Sequence, residues 1–145
     1  MRKFLILTTA AILVAVAVSC QTPSCGCGDP LAHLVDRVWL PLDLPGIMLG
    51  DIPNNAEVVF TKDSRISGYA GGNSFSAVCL LDDNHTISIG TVVTTRVATT
   101  PKSVLRYEQA LLNAFRHAKR FHIDGSKLIL FGSKEKRLLT LIKSE

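Results

Sequence analysis

The spacing of the apolar residues changes twice along the folded part of this chain, and the order of those changes limits the folds available to it. From Val35 to Thr99, short apolar stretches alternate with polar residues and turn formers, which is the pattern of β-strands. From Thr100 to near Arg120 the apolar residues recur at helical spacing, and the strand pattern then returns. We predict extended segments over residues 35–42, 56–61, 65–69, 74–81, 85–90 and 92–99, and further strands over 121–124, 127–131 and 137–142.

This order differs from the regular strand-helix alternation that produces a parallel sheet. The sequence therefore predicts an α+β fold, in which a strongly curved antiparallel sheet or incomplete β-barrel has one helix packed against it. Thr100 is the expected N-cap of that helix and Pro101 its first residue. The apolar stripe of the helix comprises Val104, Leu111, Phe115 and Ala118, widened by Leu105, Tyr107 and Leu112.

The first 20 residues have the pattern of a bacterial lipoprotein signal. A basic start, Met1-Arg2-Lys3, precedes an almost unbroken apolar stretch over residues 4–18 and the small residues before Cys20. The apolar stretch is shorter than the roughly 20 residues that a membrane-spanning helix needs. Residues 17–20 resemble the lipobox, in which the cysteine is acylated, for instance with palmitate. We predict a signal peptide over residues 1–19 and lipidation at Cys20; the alternative is an uncleaved anchor helix.

The rest of the chain divides into a tether and one domain. Residues 20–33 are rich in turn formers and are expected to be flexible, and residues 34–145 form a domain long enough to build its own core. Removal of Arg2 and Lys3 with the signal lowers the formal net charge of +4 by two. We expect no nucleic-acid partner, because the cationic cluster over residues 116–120 is explained by the C-terminal end of a helix.

No constellation of catalytic residues is recognisable. Gly68, Gly71 and Gly72 fit no phosphate-binding motif, because no Lys-Ser or Lys-Thr and no helix follow them. The four histidines lie in dissimilar settings, and no nucleophile, base and orienting group can be assigned. We therefore expect a protein that is not an enzyme and that needs no metal or cofactor.

The cysteines leave two alternatives open. An exported protein can keep disulfides, so Cys79 is a candidate to pair with Cys25 or Cys27. Cys79 is equally well explained as a small buried residue of a strand. Cys25 and Cys27 with His33 could offer ligands to Cu(I), but two thiols on a flexible tether are not a preorganised site.

Several spaced motifs resemble the META domain family, the HslJ-like proteins, over nearly all of the domain. The central family motif, usually Gly-Cys-Asn-x-Phe-x-Gly-x-Tyr, corresponds here to Gly71 through Cys79, and the closing Ile-x-Gly-x-x-Leu-x-Leu pattern to residues 123–130. Family cysteines are missing at Gly72 and Thr99. The positions that carry the resemblance are Trp39, Gly68, Gly71, Gly72, Asn73, Phe75, Thr95, Arg96 and Glu108.

The physical interpretation of these motif residues is structural. The glycines are expected to turn the chain, Asn73 to bond local backbone, and Phe75 to enter the core. Arg96 and Glu108 either form an ion pair or are solvated separately. In the first strand, Val38, Leu40 and Leu42 share one face, so Trp39 faces the other way or packs under a loop.

The resemblance implies a lipoprotein of the bacterial cell envelope with a connection to stress and no established catalysis. Gln21, rather than Asp, follows Cys20, which resembles outer-membrane lipoproteins facing the periplasm if the source is Gram-negative. The first hypothesis is a non-enzymatic module that binds an envelope protein or supports envelope integrity. The second is a carrier of a small molecule or lipid, such as a small apolar ligand, in the opening of the curved sheet.

Overall fold

Nine strands and two α-helices form the part of the chain that the structure, a computed structural model, describes: residues 30–97 and 101–145. The strands are β1 Arg37–Asp43, β2 Glu57–Thr61, β3 Arg65–Tyr69, β4 Ser74–Leu81, β5 Ile87–Ile89, β6 Val93–Thr94, β7 Arg120–Asp124, β8 Lys127–Phe131 and β9 Arg137–Lys143. The helices are α1 Pro30–Leu34 and α2 Lys102–His117, and short 3₁₀ turns lie at Leu49–Asp51 and Ser133–Glu135.

The sheet is antiparallel throughout and almost closes on itself. Its strand order is β5-β4-β3-β2-β1-β9-β8-β7, with the short β6 paired to β4. At the two ends of this order, the Ile87 amide donates to the Lys119 carbonyl at 3.0 Å and the Phe121 amide donates to the His85 carbonyl at 2.9 Å. The result is a barrel-like sheet with one main helix packed against it, and the predicted fold class is confirmed.

Most predicted strands agree with the structure to within two residues, and the differences lie at the helix ends and in the segment predicted over residues 92–99, where the strand β6 covers only Val93–Thr94. The helix was expected to reach Arg120, but it ends at His117 because Arg120 already belongs to β7. Ala118 adopts an extended conformation, and the Lys119 amide donates to the Phe131 carbonyl at 2.8 Å. The N-cap position is Pro101, and Thr100 lies outside the described residues.

The N-terminal helix α1 is tied to the barrel through Trp39. The Trp39 indole is 1% exposed, and its Nε1–H donates to the Leu34 carbonyl at 3.0 Å. Trp39 therefore marks the core face of β1, while Val38 on the opposite face is 38% exposed. Helix α1 also includes the last four residues of the expected tether.

Helix α2 turns its buried face toward the sheet. The Phe75 and Phe115 rings lie 5.3 Å apart between centroids, so β4 and α2 meet through an aromatic pair. Leu105 lies outside the buried face and is 38% exposed. The buried residues of α2 are Tyr107, Glu108, Leu111, Ala114 and Phe115.

No helix in residues 30–97 or 101–145 is long and apolar enough to cross a membrane.

Candidate functional site

Three polar residues of the family motif meet in one hydrogen-bond network, in which Asn73 and Glu108 are buried and Thr95 is exposed. The Asn73 side chain is 4% exposed at the start of β4 and donates from Nδ2 to Oε2 of Glu108 on α2 at 2.8 Å. Its Oδ1 accepts from the Val97 amide at 2.8 Å and from the Thr95 hydroxyl at 3.4 Å. Thr95 Oγ1 in turn accepts from the Ser74 amide at 3.0 Å. Asn73 thus joins three segments that are far apart in the sequence.

Two expectations about this network need correction. The side chain of Asn73 was expected to bond local backbone, but its partners lie 24 and 35 residues away. The local turn is closed instead by the main chain, where the Ala70 amide donates to the Asn73 carbonyl at 2.8 Å. Glu108 bonds Asn73 rather than Arg96, whose side chain is exposed and is in no ion pair within the described residues.

Two motif glycines are positioned where a side chain would collide. A Cβ added to Gly68 in β3 would lie 2.0 Å from the Glu57 carbonyl oxygen and 2.9 Å from the Phe75 ring. Gly71 has φ +85°, and an added Cβ would lie 2.3 Å from Pro53. Gly72, which follows in the same turn, is half-buried. The glycines therefore let the loop before β2 and the Phe75 ring pack directly on the backbone.

Cys79 is buried on the inner face of β4 and forms no disulfide within the described residues. Its pairing with Cys25 or Cys27 stays a prediction, because both of those residues lie outside the described part of the chain. Burial raises the pKa of the Cys79 thiol to about 12, which suppresses the reactive thiolate. Cys20, Cys25 and Cys27 lie outside the described residues. Within those residues, Cys79 is explained as a small core side chain rather than as a nucleophile.

The interior of the barrel is occupied by large side chains. The Tyr107 side chain is fully buried. Its hydroxyl has no hydrogen-bond partner among the described residues, and burial raises the pKa of this hydroxyl above its usual range. A carrier of apolar ligands would need an apolar lumen with room for its cargo. The largest side chains that fill the interior, each 2% exposed or less, are Trp39, Tyr107, Phe60, Phe115 and Phe121.

A groove of about 400 Å³ lies outside the barrel, between the C-terminal end of α2 and the connection from β8 to β9. We call it the cationic groove, because four of its lining residues are of the basic types Arg, Lys and His, and none is acidic. Asn113, Gly132, Ser133 and Leu138 complete the lining. The basic side chains are Arg116, His117, Lys119 and Lys136.

Only half of this groove was recognisable from the sequence. Arg116, His117 and Lys119 were attributed to the charged end of a helix, and Ser133 and Lys136 were not singled out at all. The two halves meet because the Gly132 amide donates to the Lys136 carbonyl at 2.8 Å and Gly132 packs under the last turn of α2. That juxtaposition depends on the tertiary fold and has no local sequence signal.

Comparison with known proteins identifies the family. A barrel-like antiparallel sheet with one helix and this buried motif define a META domain, and the META domain family model matches residues 32–145. The match covers most of the chain, so the protein belongs to the META domain family. A comparison with curated proteins finds no significant match.

Solved structures share the fold at low sequence identity. A protein studied by NMR has a TM-score of 0.60 and 17% identity, over 77% of this chain and 92% of its own. A crystal structure of a DUF4847 family protein from Bacteroides vulgatus has a TM-score of 0.58 and 14% identity, over 77% and 96%. An NMR structure of a protein from Burkholderia xenovorans has a TM-score of 0.57 and 23% identity, over 79% of this chain and 88% of its own.

Proposed function

We propose that this chain is a lipid-anchored protein of the bacterial cell envelope whose META domain acts without catalysis, as a binding or structural module. The observation that supports this proposal is that the polar groups of the motif form their hydrogen bonds with other groups of the protein. Asn73 and Glu108 are buried and bond each other, and Asn73 also bonds the exposed Thr95 hydroxyl and the Val97 amide. A catalytic site would instead present such groups to a substrate in a cleft.

The anchor is proposed at Cys20, on the strength of the apolar stretch and the small residues before it. More than one acyl chain gives stable membrane attachment, since each buried CH₂ contributes about 0.8 kcal/mol. In a Gram-negative source we place the domain on the periplasmic side of the outer membrane. Its role there would be to support the envelope under stress, through a protein partner or a small ligand.

The experiment compares the wild-type chain with Cys20→Ala in a strain that lacks the native gene. Wild type should fractionate with membranes and incorporate labelled palmitate, whereas the variant should do neither. Cys25→Ala is the matched control and should behave as wild type. Retention of unlabelled Cys20→Ala in membranes would favour the uncleaved helical anchor and contradict the lipid anchor.

The envelope role is tested in the same strains by exposure to novobiocin, an antibiotic linked to one branch of the family. Loss of the gene should increase sensitivity, and wild type but not Cys20→Ala should restore resistance. Equal restoration by both chains would show that anchoring is not needed for this role. No change in sensitivity on loss of the gene would count against a role in envelope stress.

A further inference from the structure

The cationic groove is a charged surface that the buried motif does not explain. Arg116 and His117 come from the last turn of α2, where cations are favourable near the carbonyl end of a helix. That effect explains two of its cations. It explains neither Lys119, which follows the helix, nor Lys136, which arrives from the connection between β8 and β9.

The cations of the groove have no acidic partners. Among residues 30–97 and 101–145, neither Arg116 nor Lys119 nor Lys136 is in an ion pair. The one carboxylate of the adjoining turn, that of Glu135, is paired with the Arg120 guanidinium, with Nη1 and Oε1 2.7 Å apart. Several cations gathered around one groove without a counter-charge attract an anion.

The turn that carries half of the groove has an unusual backbone. Lys134 and Glu135 both adopt positive φ, at 57° and 54°, which costs free energy for residues with a side chain. This conformation brings Ser133 and Lys136 to the same groove, and the Gly132–Lys136 hydrogen bond closes the turn. Strained backbone of this kind is often retained where it positions a binding group.

The remaining lining defines the class of ligand. The His117 ring donates from Nδ1 to the Asn113 carbonyl at 2.9 Å, which leaves Nε2 for another partner. The Ser133 hydroxyl and the Arg116 guanidinium are donors suited to phosphate oxygens, and Leu138 provides an apolar surface. The volume of about 400 Å³ lies in the range of small-molecule sites.

We propose that the cationic groove binds the phosphate group of a small amphipathic molecule, either free in solution or as the headgroup of a lipid. Arg116 and Lys136 face the phosphate from the two sides of the groove, and Ser133 donates to it. The apolar part of the ligand lies against Leu138. The proposal rests on the groove alone and on neither the anchor nor the role in stress, so its failure leaves both proposals intact.

The test is a titration of the purified full chain in detergent with phenyl phosphate, followed by NMR shifts of the backbone amides. Saturable shifts are expected at Gly132, Ser133 and Lys136. The charge-removing pair Arg116→Gln with Lys136→Gln should weaken binding at least about tenfold, the effect expected when a charge-assisted hydrogen bond is lost. The matched control, Lys127→Gln with Lys143→Gln, removes the same charge from exposed positions outside the groove and should bind within about twofold of wild type.

A second arm identifies the source of the phosphate. The same variants are tested for sedimentation with vesicles of phosphatidylglycerol and, for comparison, phosphatidylcholine, using the Cys20→Ala chain so that the anchor does not contribute. Groove-dependent binding of phenyl phosphate alone indicates a soluble ligand, and groove-dependent binding of phosphatidylglycerol vesicles indicates a headgroup. The proposal is overturned if neither probe binds, or if the two charge-removing pairs weaken binding equally.

Discussion

At the scale of single residues, the motif acts through close contact as much as through hydrogen bonds. Gly68 is the penultimate residue of β3 and lies between Val58 of β2 and Phe75 of β4. The missing Cβ leaves space that the Glu57 carbonyl and the Phe75 ring occupy. This explains why a residue with poor intrinsic strand propensity stands inside a strand.

Replacing Gly68 by Ala should lower the free energy of unfolding by about 2 to 3 kcal/mol, because the new Cβ collides with backbone that cannot move alone. Gly50→Ala is the matched control, since an added Cβ there meets nothing within 4 Å. We expect the control to stay within about 0.5 kcal/mol of wild type in urea denaturation. Equal stabilities for the two variants would contradict the close-contact role of Gly68.

Cys79 leads to a prediction about pH. Its pKa is raised from 9.0 to about 12 in the folded protein, so the folded state holds a proton that the unfolded state releases at alkaline pH. The stabilising contribution is complete below pH 9 and is lost as the pH rises toward 12. The free energy of unfolding should fall in this window by about 1.4 kcal/mol per pH unit more in wild type than in Cys79→Ala. Parallel pH profiles would show that the thiol is not buried.

At the scale of secondary structure elements, the buried Asn73–Glu108 hydrogen bond ties α2 to the sheet. Asn73 precedes β4, Glu108 lies in the second turn of α2, and Val97 belongs to the segment after β6. The aromatic pair of Phe75 and Phe115 provides the apolar part of the same contact. Helical periodicity alone predicted which side of α2 is buried, but not that a carboxylate would be buried with it.

Asn73→Ala should destabilise the protein by roughly 3 kcal/mol, because it leaves the buried Glu108 carboxylate and the Val97 amide without this partner. Asn55→Ala, at an exposed loop position, is the control and should change stability by less than about 0.5 kcal/mol. A double-mutant cycle with Glu108→Gln measures the coupling directly. A coupling energy near zero would show that the two side chains are independent.

At the scale of the whole molecule, closure of the barrel depends on a short seam. β8 has a full antiparallel partner on each side, whereas β5 and β7 meet through the Thr86–Arg120 bridge and two backbone hydrogen bonds. The His85 and Phe121 rings lie 5.4 Å apart across this seam. Fewer contacts should make the seam the first part of the barrel to open.

Native-state hydrogen exchange tests this expectation. The Ile87 and Phe121 amides, which form the seam, should exchange through a local opening with a lower free energy than the amides in the middle of β8. Amides of both groups are measured in one sample, so the comparison is internal. Equal protection across seam and β8 would mean that the barrel opens only in global unfolding.

Local signals were sufficient for most of the elements, and also for the family. Alternating residues predicted β3, β4 and β8 at their observed bounds, and the helical stripe predicted α2 apart from its ends. The end of α2 was placed too late because Arg120 pairs with Phe131, a partner that no local pattern reveals. The order and spacing of several motifs, from Trp39 through Asn73 and Phe75 to the closing pattern over residues 123–130, indicated a META domain.

The sequence by itself determined the class of fold, most of the buried face of α2 and the family, because these depend on periodicity and on motifs that neighbouring residues carry. Only the tertiary structure decided what Asn73 bonds, because Val97 and Glu108 are far away along the chain. It also decided the cationic groove, since Arg116 and Lys136 belong to different elements that the barrel brings together. Contacts between distant residues arise from packing, and packing is a property of the whole chain.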